Sequence, residues 1–340
     1  MSDRLGARLE AGPVLCAEGY LFELERRGYL QAGAFVPEVV LEHPDLVEQL
    51  HRELVHAGSD VVEAFTYYAH REKLRLIGRE DELEPMNRAA LELAANVARD
   101  TDTLLAGDIC NTNVYLDDDA SRERVRAMFD EQVAWAAEAG VDFVIAETFQ
   151  YAGEALVAVE AIRAAGLPAV ATLAVHQDAV TREGWTPAEA CRRLADAGAA
   201  VVGLNCIRGP ETMLPLLEEI VAAVDVPVAA LPVPYRTHSH EPTFQSLHDA
   251  AGEGRSFPVG LDPFTCTRFD VAAFTAQALK LGVRYLGLCC GAAPHHVRAM
   301  AEAMGRRPPA SRYSADMSKH AYLGSDPSLA QENLAFAERL

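Results

Sequence analysis

Positive charge is what this chain lacks most. Its 30 lysines and arginines are set against 50 aspartates and glutamates, a net charge of −20 over 340 residues. So acidic a surface repels a phosphate backbone, which excludes nucleic acid as a partner. The acids are spread along the chain rather than blocked into a tail, the pattern of solvated helix faces. No stretch approaches the ~20 apolar residues of a membrane helix. The opening MSDRLGARLEAGP has no apolar core of the signal-peptide kind. Together these absences give the expectation of a cytoplasmic protein that does not engage a membrane. Solenoid-type repeats and low-complexity runs are missing. So are a P-loop, an H-E-x-x-H motif, a Ser-His-Asp order and a G-x-G-x-x-G after the first apolar run. The 7 cysteines are odd in number and follow no export signal, which argues against a disulfide framework.

Half of the chain is hydrophobic, enough for a large core. Eight apolar runs of strand length recur: 14–17, 60–68, 103–110, 141–149, 168–175, 200–207, 226–233 and 283–290. Continuous runs of this kind suit parallel strands covered on both faces. Between them, 87–100, 121–140 and 153–166 repeat apolar residues at helical spacing. Glycines stand where helix should give way to strand, in HAGSD, EAGVD, AAGLP, DAGAA and KLGVR, as C-caps do. Eight β/α units predict a single (β/α)8 TIM barrel; two Rossmann-type halves are the alternative, weakened by the missing glycine motif. Residues 1–305 form the expected barrel domain and 306–340 a short polar C-terminal tail. Extra helix at 18–59 and a long polar loop at 234–258 are expected over the C-terminal rim, where barrels carry their chemistry.

That rim is where the reading of function begins. The sixth run ends in Asn205-Cys206 and the eighth in Cys289-Cys290. Barrel closure brings these ends to within two strands of each other. Three thiols there can make a Cys₃ site with one position open, which suits zinc; three small buried hydrophobes are the other reading. The fourth run ends in Glu147-Thr148, a carboxylate that could bind an amine, act as a base or form an ordinary salt bridge. Tyr67 and Tyr68 end the second run and Phe35 lies in the extra segment. Their faces could hold an onium cation or simply pack under a loop. His238 and His240 fall in the polar loop and are expected to be solvated. His295 and His296 open a helix, where packing or N-terminal hydrogen bonding is the expectation.

The segments GLNCIRGP and GLCCGAAPHHVRAMAE, with DFVIAETF in the fourth run and LFELERRGYLQAGAFVPEVVLEHPDLVEQLHRELVHAGSDVVEAFTYYAHREKL before it, resemble the zinc-dependent homocysteine S-methyltransferase family. The similarity is strongest to its betaine-using members and runs to about residue 305. It implies a barrel with one Zn²⁺ per chain on Cys206, Cys289 and Cys290. It also implies homocysteine as acceptor, its amine on Glu147, Asn205 beside the first ligand, and Tyr68 against an onium methyl donor such as glycine betaine or a sulfonium. Methionine would be the product. Three departures stand out. The family's Asp-Gly-Gly after the first strand reads Ala17-Glu18-Gly19, so Glu18 is a candidate replacement for the aspartate. The betaine-using members' donor-pocket tryptophan and tyrosine are Phe35 and Thr148, which implies a wider and less aromatic donor pocket. The tail lacks most of those members' dimerisation extension, which leaves homo-oligomerisation open. A different thiol acceptor, a zinc hydrolase using Glu147 and a non-catalytic zinc- or thiol-binding barrel are the alternatives. Three thiolates make zinc a weak Lewis acid, which counts against hydrolysis.

Overall fold

A computed structural model describes residues 3–249 and 254–340. Residues 250–253 of the loop expected at 234–258 therefore lie outside the described residues. Eight strands close in chain order into one parallel barrel: β1 (Val14–Ala17), β2 (Val61–Glu63), β3 (Leu104–Cys110), β4 (Phe143–Phe149), β5 (Ala169–Leu173), β6 (Val201–Asn205), β7 (Val228–Leu231) and β8 (Tyr285–Leu288). Every apolar run of the sequence contributes one strand. The paired strands are shorter than the runs, because the chain turns off the sheet at the rim while staying apolar.

Helix α1 (Arg4–Ala11) precedes β1. Between β1 and β2 lie α2 (Tyr20–Arg26), α3 (Val39–Glu42) and α4 (Pro44–Ala57), the extra helix expected there. The outer ring continues with α5 (Arg71–Ile77), α6 (Leu83–Thr101), α7 (Asp119–Ala139), α8 (Ala152–Ala164), α9 (Pro187–Asp196), α10 (Pro210–Ala223), α11 (Arg268–Leu281) and α12 (Pro294–Ala303). Local sequence sets these limits. The five glycines of the helix-to-strand turns all take positive φ, from 75° at Gly140 to 118° at Gly58, where a Cβ would be strained. Asp118 caps α7 by accepting from the Ser121 N–H, and Thr267 and Asp270 form a reciprocal capping box at α11.

Side chains alternate across each strand, so two cores form. Outward residues such as Leu15, Val62, Val144 and Val202 pack under the helices. Inward residues Val14, Cys16, Val61, Leu104, Ala106, Phe143, Ile145, Val170, Val201, Ala229, Leu231 and Tyr285 fill the barrel floor, and Leu5 and Leu9 of α1 close it from below. From 306 to 340 no residue is buried. This tail carries one α-helix, α13 (Gln331–Ala337), after two short 3-10 turns at Pro309–Tyr313 and Met317–Lys319, and is tied to the barrel base where Arg306 donates to Asp60 and to the Pro13 carbonyl.

Candidate active site

Counting upward by twos from the barrel floor leads to the site. Cys16 is followed by Glu18, Val61 by Glu63, Ala106 by Asp108 and Ile145 by Glu147, while Val201 leads to Asn205 and Tyr285 to Cys289. All six upper residues are buried. The floor is apolar; the layer above it is acidic and thiol-bearing.

Cys206, Cys289 and Cys290 stand just past the last paired residues of β6 and β8. One sulfur from each lies within 4.8 Å of the other two, and the Cys289 and Cys290 sulfurs are 3.8 Å apart. Tetrahedral arms of about 2.3 Å put two ligand sulfurs roughly 3.8 Å apart, so this spacing fits a zinc-sized ion held by thiolates. The backbone is bent to achieve it. Cys206 and Ile207 have φ of 57° and 59°, a region costly for a β-branched residue and found where surrounding structure enforces it. Gly291 after the cysteine pair has φ 97°, and a Cβ there would lie 2.4 Å from the Tyr235 hydroxyl. Among the thiols, hydrogen bonding from Cys289 and Cys290 holds Cys206 well below the usual thiol range. The same contacts push Cys289 and Cys290 up.

Glu147 is fixed from behind. Its Oε2 accepts from the Asn205 amide and from the Thr148 hydroxyl at 2.9 Å. The Asn205 Oδ1 in turn accepts from the Thr148 N–H at 2.9 Å. Thr148 has φ 62°, at the irregularity where the β4–β5 register shifts between Ala146 and Phe149. Burial, then the nearby Cys206, pushes Glu147 up to about 8. Glu18 groups with Glu147 and Cys289 within 4.8 Å. Its carboxyl is raised by burial and then by Glu147. Gly19, beside it, packs so tightly on Ala292 that a Cβ would meet that residue's Cβ at 2.7 Å.

Glu18, Glu147, Cys289 and Cys290 share one cavity, whose wall also includes Tyr20, Phe65, Tyr67, Glu63 and Asp108. Glu63 and Asp108 were not singled out in the sequence. Burial raises both carboxyls, helped at Glu63 by Glu18 and at Asp108 by Glu147. A charged residue on the inward parity of an otherwise apolar strand was the signal that could have found them.

The aromatic candidates are not gathered around that cavity. Tyr67 is in its wall and Tyr68 is not. The Lys73 ammonium sits 4.0 Å over the Tyr68 ring and is 3.4 Å from the Ala34 carbonyl, tying the turn after β2 to the segment that carries Phe35. Phe35 stacks on Phe22 with centroids 5.7 Å apart, and Phe22 continues to Phe244 and Phe257. Thr148 faces Glu147 and Asn205 with its hydroxyl. His238 is exposed and pairs with Glu241, and His240 is exposed. His296 is buried, accepting from the Ala293 N–H and contacting the Cys266 carbonyl, the N-terminal hydrogen bonding expected there, whereas His295 is exposed.

Residues 19–304 match the model of the homocysteine S-methyltransferase family. The chain belongs to that family. It is 38% identical over 330 residues to betaine–homocysteine S-methyltransferase 1 of Mus musculus, covering 94% of this chain and 78% of that protein. It is 37% identical over 328 residues to S-methylmethionine–homocysteine S-methyltransferase BHMT2 of Pongo abelii, covering 94% and 85%. Among solved structures, the fold is similar to the metallated form of the homocysteine methyltransferase MmuM of Escherichia coli, with a TM-score of 0.68 at 20% identity over 88% of this chain and 99% of that one. Family membership makes this protein a methyltransferase. No described helix is long and apolar enough to cross a membrane.

Proposed function

We propose that the protein moves a methyl group from an onium donor to the thiolate of homocysteine, giving methionine. The observation that carries this reading is the convergence of three thiols with an anchored carboxylate at one rim: Cys206, Cys289 and Cys290 within 4.8 Å of one another, and Glu147 beside them. The two relatives above are named for one shared acceptor, homocysteine, and for two different onium donors, betaine and S-methylmethionine.

Cys206, Cys289 and Cys290 would hold a zinc ion with one position left open. When bound, zinc lowers the pKa of a thiol in that position from about 8.5, so that a thiolate is available near neutral pH. The chain's own residues do the positioning. Glu147 presents its carboxylate to the acceptor's ammonium, with Glu18 beside it, and Asn205 fixes the orientation of Glu147. Gly19 lets the turn after β1 pack directly on Ala292. Tyr68 and Phe35 remain the donor contacts that the family resemblance implies, although neither lines the cavity. A methyl transfer of this kind needs no general base at the methyl carbon, so alignment is the protein's main contribution. Residues 1–305 carry all of these groups, and the tail carries none.

The test is methionine formation by the zinc-loaded protein from homocysteine with glycine betaine, S-methylmethionine or dimethylsulfoniopropionate. Methionine is expected with at least one donor, and with none in the Cys290→Ala protein, which should also lose its zinc. Failure with every onium donor, in protein shown to carry one zinc per chain, would overturn the reading.

A further inference from the structure

The upper layer of the barrel holds more acid than anchoring one amine through Glu147 requires. Glu63 is 2% exposed, and neither of its carboxylate oxygens has a hydrogen-bond partner among the described residues. Asp108 is 5% exposed with Oδ1 likewise unpartnered, while its Oδ2 lies 3.5 Å from the Thr66 hydroxyl. One oxygen each from Glu63, Asp108 and Glu147 lies within 4.8 Å of the other two. All three residues border the same cavity, and no lysine or arginine lines it. Buried carboxyls without donors are costly, and a structure that keeps them in a cavity has left them for something that enters.

The size and chemistry of that entrant follow. The open space is about 20 Å³, room for a single water-sized body. A primary ammonium head has that size, carries three N–H donors and has no acceptor. Three carboxylates arranged around one point can satisfy all three donors at once. Glu147 belongs both to this triangle and to the group it forms with Glu18 and Cys289. It thus joins the carboxyl triangle to the thiol end of the cavity. Its Oε2 is already taken by Asn205 and Thr148, which leaves the other oxygen for the cavity.

We infer that Glu63 and Asp108, together with Glu147, form the seat of the acceptor's ammonium group and make a free primary amine a requirement for the thiol that is methylated. This rests on the methyl-transfer reading above. Acceptors of the same length without the amine, such as 4-mercaptobutyrate, or with the amine acylated, such as N-acetylhomocysteine, leave the carboxyls unpaired and bind poorly.

The experiment uses the full-length, zinc-loaded protein and its Glu63→Gln and Asp108→Asn variants. It compares kcat/KM for L-homocysteine with that for 4-mercaptobutyrate, using whichever onium donor supports turnover. Each substitution is expected to lower the preference for homocysteine roughly tenfold or more, through KM rather than kcat. An unchanged preference overturns the inference, including the case in which both acceptors lose activity equally, the mark of a purely structural role. Mn²⁺ titration followed by electron paramagnetic resonance supplies a second readout. Stoichiometric Mn²⁺ that is lost in Glu63→Gln but not displaced by homocysteine would make the cluster a hard-cation site and also overturn it. Wild-type protein that never methylates homocysteine removes the reading and the inference together. Wild-type turnover with unchanged variants removes the inference alone.

Discussion

Asn205 accepts from the Thr148 N–H and donates to Glu147, so one neutral side chain on β6 locks the end of β4 in place. The Thr148 hydroxyl adds a second contact to the same carboxylate. Thr148→Val keeps the shape and the β-branch while deleting that donor. It is expected to raise the KM for homocysteine a few-fold, about 0.5–1.5 kcal/mol, with kcat nearly unchanged in steady-state assays. Glu147→Gln removes the charge itself and should weaken homocysteine binding by about 1.5–3 kcal/mol. The same variant reports on pH. Glu147 is raised to about 8 in the fold, chiefly by burial. Its proton is therefore held more tightly folded than unfolded. The resulting stabilisation is complete below the ordinary carboxylate pKa of about 4.3 and is lost as pH rises through about 8. Metal-free, substrate-free wild-type protein should therefore lose more of its melting temperature between about pH 6 and about pH 9 than Glu147→Gln does. Equal losses in the two proteins would show that Glu147 is ionised throughout.

Strands and helices followed from local pattern, while the backbone conformation at the rim did not. The apolar runs and the glycine C-caps located all eight strands because those signals act within a few residues. The α11 capping box is equally local, and Thr267→Ala should cost about 1 kcal/mol in urea unfolding, with kinetics unaffected. At the rim, by contrast, Tyr68, Thr148 and Cys206 all adopt φ near 60°, at or beyond the upper ends of their strands. Nothing in their own side chains favours that conformation. It is held by contacts from other units, such as the Tyr68 N–H on the Cys110 sulfur at 3.2 Å and the Asn205 bridge to Thr148. The sequence placed Phe35 and Tyr68 as donor aromatics. It could not place Lys73 over the Tyr68 ring or Phe22 against Phe35, because those contacts join separate loops.

On the scale of the molecule, the three thiols proposed to hold zinc stand just past the ends of two strands of a closed barrel, above an apolar floor to which they do not contribute. Removing the metal is therefore expected to leave the fold standing. Chelation should abolish methyl transfer while the far-ultraviolet circular dichroism and a cooperative melt persist, in contrast to a zinc finger. Loss of the melting transition on chelation would mean that the ion is structural.

The sequence by itself determined the eight-unit barrel, the five glycine turns from helix to strand, and the three cysteines and Glu147 at its rim. Each of these is written in a repeat, a cap or a residue pair at a strand end. The resemblance to a methyltransferase family added the reaction. Only the tertiary structure showed that Glu18, Glu63, Asp108 and Glu147 share one cavity. Each lies on or just past a different strand, and a strand's inward face is defined only once the sheet has closed. A carboxylate in an apolar run reads locally as an interruption. Barrel closure turns four such interruptions into one buried acidic layer above an apolar floor.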